Sequence, residues 1–394
     1  MPARCPKNLQ VIPKLKTGLF ILTATLMMGC TSPEKPMTTL VDFTSLSWPI
    51  FRGDRRLSGV VEGELGKKLS LRWSFRSGDR IKASPVIGLG RVFIGSLDGR
   101  LYCLDAAAGD TVWAADLGDD IEAPALLLDS TIYVGTMSGD FFALDAYSGA
   151  VKWRAQTEGQ IYGSANGVET ESGARIVIVG SYDFQMYGFD AETGEQLWAY
   201  ETDNYINGAP ATDGAAAVFG GCDARLHVIS PQTGARLGSV DTGSYIAGSA
   251  ALVDGRAYLG HYGDKLICID VAEQKIVWEY NDGGKAGAFF SSPAVGDDRV
   301  VIGSRDKRVH CVRRSDGAPL WTFNTRDDVD SSPVICGDKV VVGSSDGRLY
   351  LLSSESGALL WSYEIGADII GSPAVVGGMI FIGAGDGVYA FGEK

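Results

Sequence analysis

The chain has 394 residues, with 52 glycines, only 14 prolines, 45% hydrophobic and 10% aromatic residues, and a formal charge of −13 at pH 7. Glycine at nearly twice its usual ~7% with so little proline marks a turn-rich globular chain and excludes collagen, coiled coil and disorder. The acidic balance argues against a nucleic-acid partner, which needs a basic face, and no apolar run reaches the ~18 residues of a spanning helix.

In chain order the first element is an address label. Arg4, Lys7, Lys14 and Lys16 precede the apolar stretch Leu19 to Met28, which reads as a signal peptide over residues 1–29 and predicts export. Leu26 to Cys30 resembles a bacterial lipobox, with Met27 where leucine is usual. The resemblance implies that Cys30 is acylated and becomes the mature N-terminus, giving the protein a lipid anchor on the periplasmic side of the cell envelope. Several acyl chains anchor stably, since each buried CH₂ contributes ~0.8 kcal/mol. Thr31, in place of Asp, implies transfer to the outer membrane. Residues 30–47, with Pro33 and Pro36 among scattered Ser and Thr, read as the lipidated cysteine and a flexible tether.

Cys5 leaves with the signal and Cys30 takes the lipid, so Cys103, Cys222, Cys268, Cys311 and Cys336 remain. Cys103, Cys268 and Cys311 share one position in three repeats, which predicts small buried hydrophobes and no disulfide framework. There is no CxxC pair, and His227, His261 and His310 fall in three separate repeats, so no metal site is expected.

From residue 73 onward tryptophan recurs at Trp73, Trp113, Trp153, Trp198, Trp278, Trp321 and Trp361, with Gly238 where one more is due, at intervals of 40 to 45 residues. A period near 40 built from short β-type runs is the mark of a propeller or a solenoid. Within one period Ser84–Ile87, Arg91–Ser96 and Arg100–Asp105 read as strands separated by turns, with Asp98-Gly99 a hairpin signal, and Thr111 begins a fourth. The apolar runs do not alternate, as expected of sheets covered on both faces.

The two ends decide between propeller and solenoid. Leu71–Phe75 has no first three strands before it, and Val388–Phe391 has no fourth strand after it. Joining them predicts an all-β fold: an eight-bladed β-propeller of four-stranded antiparallel blades over residues 48–394, a single monomeric domain closed by an N-terminal strand that completes the last blade and leaves no free edge.

Ala143-Leu-Asp145 with Gly149 and Trp153 resembles the Ala-x-Asp-x-x-x-Gly-x-x-x-Trp docking repeat of the PQQ-type, quinoprotein-like β-propellers, as do Asp105-Gly109-Trp113 and Asp190-Gly194-Trp198. Trp48 to Gly53 is similar to the lead-in these proteins often carry. The seven tryptophans are expected to be structural, packed between blades. The resemblance points to the BamB-like branch of outer-membrane assembly lipoproteins, which implies a non-enzymatic protein-binding scaffold without a cofactor. The other branch, the quinoprotein dehydrogenases, implies PQQ with a metal ion, or a PQQ- or ligand-sensing propeller; those enzymes carry long insertions and, in many, a vicinal cysteine pair, neither of which occurs here.

The remaining candidate site is the channel mouth. Ile81, Ile121, Ile161, Ile206, Ile246, Phe289, Val329 and Ile369 share one apolar position, and strand alternation would turn both flanks of each toward the mouth. The flanks form a charged arc, with Arg80, Lys82, Asp120, Glu122, Asp328, Asp330 and Asp368, and an aromatic arc, with Tyr162, Tyr205, Tyr245 and Phe290. This asymmetry suits an amphipathic peptide or small ligand. Asp328 and Asp330 have no neighbouring His or Cys nucleophile to make them a catalytic pair, and no catalytic residue is expected.

Overall fold

The computed structural model describes residues 45–170, 172–283 and 287–393. The signal segment and Cys30 lie outside the described residues, as does most of the tether.

Every regular element among the described residues is a β-strand, and the strands form eight blades. Blade 1 consists of Val86–Gly88, Arg91–Gly95, Arg100–Asp105 and Thr111–Asp116, antiparallel and in order from the channel outward. The two middle strands of each blade are buried on both faces, which is why their sequences run apolar without alternation. The eighth blade combines both ends of the chain: Leu69–Arg76 pairs with Gly387–Glu393, with Leu69 opposite Glu393 and Arg76 opposite Gly387. The predicted closure is therefore present.

Each outermost strand carries a bulge one residue before the docking position. In blade 1 Trp113 faces Cys103 while Thr111 faces Leu104, so Val112 is the extra residue; the same irregularity recurs in the other seven blades. A bulge re-aims the next side chain. Here it turns the tryptophan toward the following blade and leaves its predecessor outside, which accounts for the exposed Val112, Leu197, Leu237, Val277, Leu320 and Leu360 around the perimeter.

The tryptophans act as bolts between blades. Trp73 of blade 8 donates its indole N–H to Ala106 O at 3.0 Å and lies over Gly109, where an added Cβ would sit 2.5 Å from the ring. Trp113 repeats this with Ala146 O and Gly149, and Trp153 with Ala191 O and Gly194. The turn beneath is held by its aspartate: Asp145 Oδ1 accepts from the amides of Tyr147 and Ser148, and Gly149 takes φ +72°. Where the tryptophan is replaced by Gly238, the glycine due in the next turn is Gln274; its amide stands against Gly238 and donates to Leu237 O at 3.2 Å. The two departures compensate. Gly238→Trp alone should destabilise by roughly 1–3 kcal/mol through overpacking. Gln274→Gly alone should be nearly neutral, because relief of a φ of +54° offsets the lost contact. The double variant should regain at least wild-type stability, and denaturant melts of all four chains would give the coupling.

Residues 48–61 form a strap across the channel at the end away from the mouth. Trp48 and Ile87 exchange main-chain hydrogen bonds in blade 1, Leu127 N donates to Pro49 O in blade 2, and the Asn166 amide donates to Arg55 O in blade 3. Blades 4 to 7 follow in turn, as Thr212, Leu252, Val295 and Ile335 donate to the carbonyls of Arg55, Arg56, Ser58 and Gly59. Val60–Val61 then runs parallel to Val334–Cys336 as a fifth strand of blade 7. In the middle of the strap the Arg52 side chain is 1% exposed and donates to the carbonyls of Pro293, Ser332 and Pro333.

Candidate functional site

The mouth segments, residues 80–85 and their counterparts, are irregular loops that enter the innermost strands. Their common apolar residue points into the blades: Ile81, Ile121, Ile161, Ile206, Ile246, Phe289, Val329 and Ile369 are all at most 3% exposed. The residues after them line a well of about 220 Å³ on the propeller axis, namely Lys82, Glu122, Tyr162, Asn207, Ala247, Phe290, Asp330 and Ile370. The strap residue Phe51 also lines the well.

A ring of serines forms the wall. Ala209 N donates to Ser249 Oγ, Ser249 N to Ser292 Oγ, Ser292 N to Ser332 Oγ, Ser332 N to Ser372 Oγ and Ser372 N to Ser84 Oγ, at 2.8 to 3.0 Å. The last bond crosses from the final blade to the first. The ring is interrupted where Pro124 and Ala209 replace serine, since neither offers a hydroxyl.

Of the predicted site residues, the structure brings Lys82, Glu122, Tyr162, Phe290 and Asp330 together in the well. Arg80, Asp120, Tyr205, Tyr245, Asp328 and Asp368 are not among its lining residues. Their main-chain carbonyls accept from the next hairpin in most blades, for example Arg80 O from Leu97 N and Tyr245 O from Tyr262 N. Strand alternation does not govern a loop, so the two flanks diverge.

Those hairpins supply residues that sequence reasoning missed. Tyr182 stacks between Tyr162 and Tyr205 with ring centroids 4.4 and 4.7 Å away, and Phe184 meets Tyr205 edge-on. Tyr262 lies 4.5 Å from Phe290. Arg305 covers the Phe290 ring at 3.3 Å and makes a two-pronged bond to Asp330, with Nε and Nη2 each within 2.9 Å of a carboxylate oxygen. Tyr182, Cys222, Tyr262 and Arg305 occupy one repeat position, the residue after the second strand's Ser or its counterpart, so aligning that column would have found them. Lys82 Nζ meets Glu122 Oε1 at 2.6 Å. Asp330 is thus held by arginine, while burial and the charges of Asp330 and Asp327 raise the Asp328 carboxyl above its ordinary value.

Two relays elsewhere resemble catalytic machinery. His227 bonds Asp223 at 2.7 Å and Tyr200 Oη at 2.9 Å, and His310 does the same with Asp306 and Tyr280. In other blades the same hairpin position holds tyrosine on aspartate, as in Tyr102–Asp98, Tyr187–Asp183 and Tyr350–Asp346. The histidines therefore take part in a hairpin clamp repeated through the fold. A wider cleft of about 550 Å³ between blades 5 and 6 is a salt-bridged seam, where Arg314 holds Asp254 and Tyr258 Oη.

Cys103, Cys268, Cys311 and Cys336 are buried, and Cys222 is half-buried near the well, its Sγ accepting from Asn207 Nδ2 at 3.1 Å. Burial pushes the Cys103 and Cys311 thiols up to about 12 and those of Cys268 and Cys336 up to about 11. In the unfolded chain these thiols ionise near 9, so above that pH the unfolded state loses protons first and stability falls progressively toward pH 12. Thermal melts between pH 7 and 11 should show the decline. Iodoacetamide at pH 8 should modify one thiol, Cys222, in a folded Cys5→Ala, Cys30→Ala chain, as peptide mass mapping would read.

The family model described as outer membrane protein assembly factor BamB matches residues 66–160, 98–240 and 222–393. The chain belongs to this family. No curated protein matches the sequence. Among solved structures, BamB from Moraxella catarrhalis superposes with a TM-score of 0.69 at 23% identity, covering 83% of this chain and 98% of that one. Quinohemoprotein alcohol dehydrogenase from Comamonas testosteroni gives 0.73 at 14% identity, covering 88% and 81%. The computationally designed Ika8 protein gives 0.70 at 17%, covering 81% and 98%. At these identities the likenesses show the fold alone.

PQQ, the cofactor that the other branch of the sequence resemblance implies, is a planar polyanion held together with a metal ion. The donors present do not fit it. Lys82 on the wall and Arg305 beside it are each engaged with a carboxylate. Among the described residues no group of three His, Cys, Asp or Glu is placed to hold a metal ion.

Proposed function

We propose that the chain is a non-enzymatic, lipid-anchored scaffold that binds partner proteins in outer-membrane protein assembly, held through Cys30 on the periplasmic side of the outer membrane and using no PQQ. The observation that carries this reading is the economy of the blades. Docking positions recur every 40 to 45 residues, and four strands with their turns consume each interval, so among the described residues no lid encloses a reaction chamber over the mouth. Membership of the BamB family supports the same reading. Around the mouth Phe184, Tyr205, Tyr245 and Tyr262 stand exposed, and such rigid amphipathic rings are enriched at protein interfaces.

Two measurements test the proposal. Photo-crosslinking residues placed at Tyr205 and Tyr245 should capture outer-membrane assembly components in intact cells; crosslinks to none of them would refute the scaffold role, and stoichiometric PQQ uptake with Ca²⁺ would favour a quinoprotein. Cys30→Ala should move the protein from the membrane to the soluble periplasmic fraction, because one thiol carries the whole anchor. Retention of that variant after a salt wash would remove the lipid anchor from the proposal.

A further inference from the structure

We propose that the well binds one ring of a neutral saccharide. Three observations converge on it. First, the charges on the wall are already answered: Lys82 by Glu122 at 2.6 Å and Asp330 by Arg305 at 2.8 Å. A charged ligand gains little net field there, but carboxylates keep unspent lone pairs and the cations unspent N–H bonds, which suit hydroxyl groups. Second, Asn207 Oδ1 is buried without a partner, and Asn207 lines the well. A buried acceptor left without a partner is costly, so it calls for a donor from a ligand or water. Ser84, Ser249, Ser292, Ser332 and Ser372 each accept a main-chain N–H and retain a hydroxyl hydrogen with no acceptor among the described residues. Third, the polar groups stand beside the aromatic residues Tyr162, Phe290 and Phe51.

Donors and acceptors of mixed sign beside aromatic faces complement a sugar ring, whose hydroxyls radiate from its edge while its C–H faces stack on arenes. The size agrees. About 220 Å³ lies below the roughly 300–1,000 Å³ of sites for drug-sized ligands and is the scale of a single ring. An extended peptide would need an open groove, whereas this well is ringed by all eight mouth segments, with Phe51 of the strap in its lining.

The inference does not depend on the scaffold reading, since it is measured on the purified protein without partners. Calorimetry on the detergent-solubilised full-length chain would use two neutral probes, cellotetraose and the β-1,4-linked tetramer of N-acetylglucosamine. At least one should bind saturably with one site per chain. Asn207→Ala and Phe290→Ala should each weaken binding about tenfold or more while the variant chains still melt cooperatively, whereas Tyr147→Ala, on an exposed outer turn, should not. Absence of saturable binding with both probes at about 20 mM, at the weak limit of affinities, would overturn the proposal. So would binding that neither well variant weakens, or a basic tyrosine-rich peptide that binds through Asn207 where the sugars do not.

Discussion

Deleting residues 48–76 is expected to leave an aggregating chain with no cooperative melt, whereas deleting residues 31–44 should change the melting temperature by no more than about two degrees, as for changes away from packed structure. The first deletion removes the outer strand of blade 8 and exposes the main-chain edge of Gly387–Glu393, an open template for intermolecular pairing. It also removes Trp73, the bolt to blade 1. Truncating a buried aromatic alone costs about 3 to 5 kcal/mol, a large part of the ~5 to 15 kcal/mol that holds a typical domain. The strap goes with it, and with it the hydrogen bonds to seven innermost strands. Light scattering and calorimetry on the two truncations would decide the matter. Equal melting temperatures would show that the ends contribute nothing to closure.

The second large effect is expected at Arg52. Its guanidinium is wholly buried, and burial pushes its pKa down to about 9, with the nearby Asp54 charge opposing. A charge so placed is costly, and what offsets the cost is the fan of carbonyls from Pro293, Ser332 and Pro333. Arg52→Leu removes the charge but orphans three acceptors, each worth about 1–3 kcal/mol when left buried and unpaired. Recovery of the cost of burying the charge returns part of this, so a net loss of about 3 kcal/mol is expected. Arg52→Lys should be no better, because a single ammonium cannot reach three carbonyls spread over two blades. Denaturant titrations that place both variants within about 0.5 kcal/mol of the wild type, the scatter of ordinary surface changes, would show that the strap is held by its main chain alone.

Much of the fold was legible because its decisive features are side chains at fixed intervals. Tryptophan at the docking position and the complementary shortfall at Leu71–Phe75 and Val388–Phe391 were enough to count eight blades and to close them. The strap was not legible beyond its lead-in motif, because most of its contacts are main-chain hydrogen bonds, which any residue but proline can donate. At the mouth the apolar position was readable, since burial demands one residue type. Which flank faced the axis was not, because alternation holds for strands and residues 80–85 form a loop. Arg305, Tyr182 and Tyr262 were missed for a different reason: they reach the mouth from a hairpin twelve or more residues along the chain from their own blade's mouth segment. Gln274 beside Gly238 could be read only as two lapses until packing showed them to be one exchange.

The strap has a consequence for how such a chain can change over generations. In an open array, gaining or losing a unit of about 40 residues extends or shortens a stack whose neighbours contact only each other. Here one short peptide meets the first seven units in order, from Ile87 to Ile335, and the chain then enters the eighth to close the circle. It works as a tally of the units. A duplicated unit would find no place reserved along it, and a lost one would leave its carbonyls facing nothing. Units are therefore free to drift in sequence, as Gly238 and Gln274 have done, but their number is fixed by a segment that belongs to none of them.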